Sequence, residues 1–275
     1  MTGTLLVTGG GRGIGASIAL LAAARGYAVG VNYRSNAARA EQVVARIREA
    51  GGRALALPGD TASEVDMARV FDSLQSAFGR LTALVNNAGV TGGASRVDAL
   101  SAADLRAVLD INVVGCFICA REAVKRMSTR YGGGGGAIVN VSSRAAERGG
   151  AGEWVHYAAS KGAIDTLTRG LAGEVAEEGI RVNAVKHGAL SNAHGSIVVE
   201  CRAEPSAGQF VVSWREVGGP PVIPPNRKGF GSVIIERSLQ HEIRGTTAVT
   251  FSPEGISCRI GIPMQYIRAP AAGAP

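Results

Sequence analysis

Tyr157 and Lys161 stand four residues apart where a helical period of apolar residues begins, so both side chains fall on one helix face. A phenol with its ordinary pKa of about 10 exchanges protons poorly near pH 7. An ammonium group beside it favours the phenolate, and the pair then serves as a general acid and base. Ser143 follows the apolar run AlaIleValAsnVal at 137–141 and offers a hydroxyl able to hold a carbonyl oxygen. Asn112, in AspIleAsnValValGly, is a candidate to carry a proton-relay water near the lysine. Any one of these four taken alone reads better as an ordinary surface or core residue. Together they point to proton exchange with an oxygen-bearing substrate.

A second constellation would bind rather than react. ThrGlyGlyGlyArgGlyIleGly at 8–15 joins a short apolar run at 5–8 to a helical pattern from about Ile14 to Ala24. Gly9, Gly13 and Gly15 have the spacing at which one glycine permits a tight strand-to-helix turn and another lets backbone approach a pyrophosphate. The helix start offers free N–H groups and a positive dipole end to the phosphates. The plain alternative is a tight turn without a ligand. At the end of the second strand an acidic residue favours NAD and a basic one NADP. Tyr33 and Arg34 stand there, and Arg12 lies inside the glycine run. The expected cofactor is therefore NADP, with NAD the alternative if both arginines are surface charges.

These residues need a scaffold. Apolar runs at 28–33, 53–57, 83–86, 137–141 and 181–185 alternate with amphipathic helices. Ala40, Val43, Val44 and Ile47 form one stripe, and Met67, Phe71, Leu74 and Phe78 another. Ile164, Leu167, Leu171 and Val175 form the inner face of a helix from about Tyr157 to Glu178. Short all-apolar strands separated by helices imply parallel strands with right-handed crossovers, a doubly wound α/β sheet of Rossmann type. Such a sheet binds ligands at the carboxyl ends of its strands. Cys116 and Cys119 lie in an apolar helical run with no second pair or histidine at metal spacing. They are expected to pack in the core, and no metal site is expected. Gly132–Gly136 reads as a flexible loop before the fifth strand.

The motifs at 8–15, AsnAsnAlaGly at 86–89, Asn112, Ser143 and Tyr157-x-x-x-Lys161 together resemble the short-chain dehydrogenase/reductase family over residues 1–185. The resemblance implies hydride transfer between a nicotinamide and a carbonyl or alcohol carbon. Tyr157 is then the proton donor or acceptor, Lys161 also holds the nicotinamide ribose, Ser143 orients the substrate and Asn112 supports the relay. Thr8, Gly9, Arg12, Gly13, Ile14, Gly15 and Arg34 match the cofactor-binding turn and its neighbour. Asp60 matches the position that contacts adenine, and Asn86, Ala88 and Gly89 the stretch beside the cofactor. Members often form oligomers, so a homo-oligomer is a further expectation.

Beyond residue 186 the pattern changes to apolar alternation at 196–201, 209–214, 246–251 and 256–262, interrupted by a helix at about 232–243. A smaller α+β segment with a mixed or antiparallel sheet follows at 186–275, with the boundary at about 183–190. His187 replaces the proline that family members carry after strand six, and Leu190 to Asn192 replace the residues that touch the nicotinamide amide. The tail resembles the ATP-binding region of HWE-type sensor histidine kinases. Asn183 and His187 match its N-box, Trp214 and Glu216 its nucleotide box, and Gly229 and Gly231 its glycine box. The N-box requires a helix where the dehydrogenase pattern requires a strand. Three readings follow: an NADP-dependent oxidoreductase, an ATP-binding histidine-kinase-like module, and a nonfunctional chimera of the two.

Composition bounds these readings. With 275 residues, 46% of them hydrophobic and 19% charged, the chain can bury a real core. Its net charge of +7 is scattered through helices, which suits a solvated surface better than a nucleic-acid face. No apolar run is long enough to span a membrane, and a strand-like segment starts within a few residues of Met1. The expected location is cytoplasmic, and the expected partner a small carbonyl or alcohol substrate.

Overall fold

A computed structural model describes residues 3–187, 196–204, 207–217, 245–252 and 255–266. The chain forms two compact units, Met1–Lys186 and His187–Pro275. The first contains strands β1 (Thr4–Val7), β2 (Ala28–Tyr33), β3 (Arg53–Pro58), β4 (Leu81–Asn86), β5 (Gly136–Ser143) and β6 (Ile180–His187). Between them run helices α1 (Gly13–Ala24), α2 (Ala37–Glu49), α3 (Glu64–Phe78), α4 (Ala102–Leu109), α5 (Gly115–Met127), the short α6 (Ala145–Arg148) and α7 (Val155–Glu174). The sheet order is β3-β2-β1-β4-β5-β6, with the pairs from β3 through β5 parallel.

That order reverses between β1 and β4. The chain leaves β1 toward β2 and leaves β4 toward β5, so the loops after these two strands part and open a crevice at the sheet's carboxyl edge. Both sheet faces are covered, which explains why the strands read as continuous apolar runs. Leu5 and Val7 join one buried cluster with Val29, Val31, Ala40, Val43, Val44 and Ile47. Leu6 points the other way, into a cluster with Met67, Phe71, Leu74, Leu84, Ile118, Cys119 and Met127. Cys116 and Cys119 are buried, and burial pushes both thiols up, Cys116 to about 12. They pack as small apolar groups. The Gly132–Gly136 stretch is an ordered turn, with Gly133 N–H donating to Ser128 O and Gly136 N–H to Gly179 O.

Two expectations about α7 are corrected. The helix starts at Val155 and stops at Glu174, followed by a 3₁₀ turn at Ala176–Glu178. Gly170 and Gly173 weaken its last turns, and Gly179 (φ 75°) then closes the chain in the left-handed region. Its buried face carries Lys161, Ile164 and Thr168, while Leu167 is only half-buried. Thr168 tolerates that burial because its hydroxyl donates to Ile164 O at 2.7 Å and accepts from Asn140.

The second unit contains β7 (Ser196–Glu204), β8 (Gln209–Val217), β9 (Thr246–Ser252) and β10 (Gly255–Pro263). They form an antiparallel sheet of order β7-β8-β10-β9, as the alternation predicts. The proline-rich loop at 220–225, the helix at 232–243, Gly229, Gly231 and the stretch Leu190–Asn192 lie outside the described residues. The N-box expectation is overturned: Asn183 and His187 lie on β6, a strand, where that motif needs a helix. The apolar periodicity of ArgValAsnAlaVal suits the edge of the parallel sheet, with Val182 buried against the core.

Phe71 is 1% exposed and carries the Arg126 guanidinium 5.1 Å above its ring. Phe71→Ala removes a side chain from the centre of the larger cluster. It should destabilise the first unit by roughly 3–5 kcal/mol, read as a lower urea midpoint of its unfolding transition.

Candidate functional site

The crevice at the switch point is a cleft of about 630 Å³ lined by residues of the glycine-turn constellation, whereas Tyr157, Lys161, Ser143 and Asn112 are not among its lining. Gly9, Arg12, Gly13, Ile14, Arg34, Asp60, Ala88 and Gly89 all face it. Backbone packing explains the glycines. Gly9 has φ +61°, and a Cβ there would lie 3.0 Å from the Ala88 Cα. A Cβ on Gly15 would lie 2.6 Å from the Gly9 carbonyl oxygen and 2.5 Å from Asn87 Nδ2. This is a turn in which backbone must come close to backbone, and it leaves the start of α1 open. Asn36, Ser63 and Ser101 cap α2, α3 and α4 with side-chain oxygens, whereas the α1 N-cap, Arg12, makes no such bond. The first N–H groups of α1 are thus available to an anion. The residues present fit a dinucleotide.

Thr8 is the post to which the opposite wall is tied. Its Oγ1 accepts from the N–H groups of Asn87 and Ala88, both at 3.0 Å. Asn87 Nδ2 returns two bonds, to Thr8 O at 2.9 Å and Gly9 O at 3.1 Å. Asn87 was not among the expected site residues, although it lies inside the AsnAsnAlaGly motif. The family resemblance singles out Asn86, Ala88 and Gly89 in that motif, but the chain turns after β4 and directs Asn87 toward β1. Asn32 was also missed. It is a polar residue buried within an apolar strand, which is itself a signal. Its Nδ2 donates to Leu57 O and Gly59 O, and its Oδ1 accepts from Gly9 N. Arg39, on the first turn of α2, is a third cleft arginine beside Arg12 and Arg34. Arg34 Nη1 lies 3.6 Å from an Asp60 carboxylate oxygen, both partly solvated. The other Asp60 oxygen accepts from Ala62 N.

The candidate catalytic set gathers at the end of β5 and the start of α7. Lys161 is 5% exposed, and its Nζ donates to Val141 O at 2.8 Å and sits 5.8 Å from the centroid of the Tyr157 ring. Burial lowers the Lys161 pKa, and the neighbouring Asp165 carboxylate opposes that shift. Ser143 is buried, and its Oγ accepts from Ala145 N at 3.1 Å, which leaves the hydroxyl hydrogen free to point elsewhere. Asn112 lies in a single π-helical turn, Asp110–Val114, between α4 and α5. Its Oδ1 accepts from Val90 N, and its Nδ2 donates to Val90 O and Ser160 Oγ, all within 2.9 Å. Ser160 Oγ in turn donates to Tyr157 O. Asn112 therefore clamps the loop after β4 to the helix that carries Tyr157, and both of its amide hydrogens are committed to that clamp. Asn86 lies behind this cluster, with its Nδ2 on Asn140 Oδ1 at 2.9 Å.

Among the described residues no His, Cys, Asp and Glu cluster suits a metal ion, and no helix is long and apolar enough to cross a membrane.

Comparison with known proteins agrees with this geometry. The family model described as short chain dehydrogenase matches residues 3–197. The uncharacterized oxidoreductase YgfF of Escherichia coli (strain K12) is 52% identical over 183 residues, covering 66% of this chain and 74% of that protein. A 3beta-hydroxysteroid dehydrogenase of Mediterraneibacter gnavus is 40% identical over 181 residues, 66% of this chain and 63% of that one. Among solved structures, a short chain dehydrogenase from Burkholderia cenocepacia in complex with NADP superposes with a TM-score of 0.62. It is 39% identical, over 67% of this chain and 73% of its own. These relatives bring no support for the kinase resemblance of the tail. With its glycine turn, its clamped asparagine and its buried lysine beside a tyrosine, the chain belongs to the short-chain dehydrogenase family of oxidoreductases.

Proposed function

We propose that this protein transfers a hydride between NADP(H) and a carbonyl or alcohol carbon, with Tyr157 as general acid and base. The observation that carries this reading is the placement of Lys161. Its buried ammonium is held at Val141 O, beside the Tyr157 ring, within the unit that forms the dinucleotide cleft. The nicotinamide, when bound, supplies or accepts the hydride. Ser143 Oγ, already accepting from Ala145 N, has its hydrogen to donate to the substrate oxygen. Tyr157 gives that oxygen its proton in reduction and takes it back in oxidation. The Lys161 ammonium favours the phenolate over the phenol and so eases this exchange. Two further ammonium hydrogens remain, one of them suited to a ribose hydroxyl. Asn112 acts as a positioning residue, because its bonds fix the loop after β4 against α7.

The NADP preference rests on charge. No carboxylate follows β2, and Arg12, Arg34 and Arg39 all line the cleft, where a 2′-phosphate would find guanidinium donors. The complex of the Burkholderia relative with NADP supports the same choice. A homo-oligomer belongs to this reading too. Half-exposed Phe117, with Val114, Tyr131, Leu167 and Leu171, lines an apolar groove of about 1100 Å³ along α5 and α7, and a second copy packed there would bury it.

Tyr157→Phe should lower kcat at least about a thousandfold while the NADPH dissociation constant changes less than about threefold. Retained turnover in that variant would refute the assigned proton path. Arg39→Ala should weaken NADPH binding about tenfold and leave NADH binding nearly unchanged, measured by fluorescence titration. Equal losses for both would remove Arg39 from phosphate recognition.

A further inference from the structure

Behind Lys161 lies a chain of buried polar groups whose direction is fixed from one end. The Thr168 hydroxyl donates to Ile164 O at 2.7 Å, so toward Asn140 it can only accept, and Asn140 Nδ2 donates to it at 2.9 Å. That turns Asn140 Oδ1 toward β4, where it accepts from Asn86 Nδ2 at 2.9 Å and from the Cys116 thiol at 3.6 Å. Asn86 and Asn140 are register partners on adjacent strands, 6% and 0% exposed. The chain therefore ends on Asn86 Oδ1, a buried acceptor with no protein partner. Leaving such an oxygen unbonded is costly.

Asn86 also lines a small void of about 10 Å³, together with Thr8, Thr61, Asn112, Cys116 and Lys161. That is about the volume in which one water molecule fits, and a buried water needs two or more polar partners. Both kinds are present. Asn86 Oδ1 needs a donor, and the Lys161 ammonium has hydrogens beyond the one given to Val141 O. We infer that a single buried water bridges Asn86 Oδ1 and Lys161 Nζ, and that Asn86 is thereby a positioning residue for the catalytic lysine. This inference rests on the catalytic reading of Lys161 for its consequence, though not for the water itself. The titratable groups facing the ammonium are few: the Asp165 carboxylate on its own helix and the neutral Cys116 thiol on α5, with the Tyr157 phenol beside it. The bridge turns an acceptor toward a charge that burial would otherwise disfavour. It links the sheet's interior polar chain to the proton-exchanging pair.

A crystal structure that resolves ordered water tests the site without altering it. The expected result is one density peak within hydrogen-bonding distance of both Asn86 Oδ1 and Lys161 Nζ. An empty void, or a water touching only one of them, overturns the inference whether or not the enzyme turns over a substrate. Asn86→Ala tests the consequence in protein that still binds NADPH. Without its acceptor the ammonium deprotonates more easily, so the high-pH limb of alcohol oxidation should move down by about one pH unit. An unmoved limb contradicts the positioning role, and a variant that fails to fold leaves the crystallographic result to decide.

Discussion

The bonds between Thr8 and the turn after β4 hold two loops that sheet topology drives apart. β1 and β4 are neighbours in the sheet, yet their chains depart in opposite directions, so nothing in the ladder itself sets the width of the crevice between them. The threonine hydroxyl takes two N–H groups from Asn87 and Ala88, and the Asn87 amide gives two bonds back to the backbone of Thr8 and Gly9. Every donor in that exchange is a group whose burial without a partner would be costly. Because they are satisfied by one another, the glycine turn keeps a fixed shape with the α1 N-terminus facing the cleft. The absence of side chains at Gly9 and Gly15 is a consequence of the same closeness.

The reactive end is built on the same plan, with polar groups bonded across elements far apart in sequence. Asn112 joins the loop after β4 to α7, Lys161 joins α7 to β5, and Asn86 joins β4 to Asn140 and Thr168. Ser142 Oγ donates to Asp165, and Lys186 at the end of β6 pairs with both Asp165 and Glu147. The position of Tyr157 against Lys161 is thus set by a lattice of bonds between elements rather than by the helix alone. A π-helical turn at Asn112 is consistent with this, since inserting one residue re-aims the amide away from the helix surface.

Much of the first unit was legible because its strands and helices have different apolar periods. Ala40, Val43, Val44 and Ile47 are buried as their spacing predicts, and Cys116 and Cys119 pack as core residues. What escaped periodicity was polar. Thr168 replaced Leu167 on the inner face of α7 because its hydroxyl finds partners on both sides. Asn87 and Asn32 escaped because their roles depend on where the chain turns, and no local pattern encodes that. Arg39 escaped because it joins Arg12 and Arg34 in lining one cleft only when β2 and α2 fold back. In the tail, alternation foretold an antiparallel sheet, while the kinase-like motif would need a helix where β6 stands, because short boxes such as AsnAlaVal suit either a helix or a strand.

Central to the proposed function is a cofactor cleft that selects a phosphorylated dinucleotide. Fluorescence titration of the purified chain with NADPH and with NADH tests that most directly. NADPH should bind at least about tenfold more tightly, as expected if a guanidinium cluster meets a 2′-phosphate. Equal affinity, tighter NADH binding, or no binding of either nucleotide would contradict it.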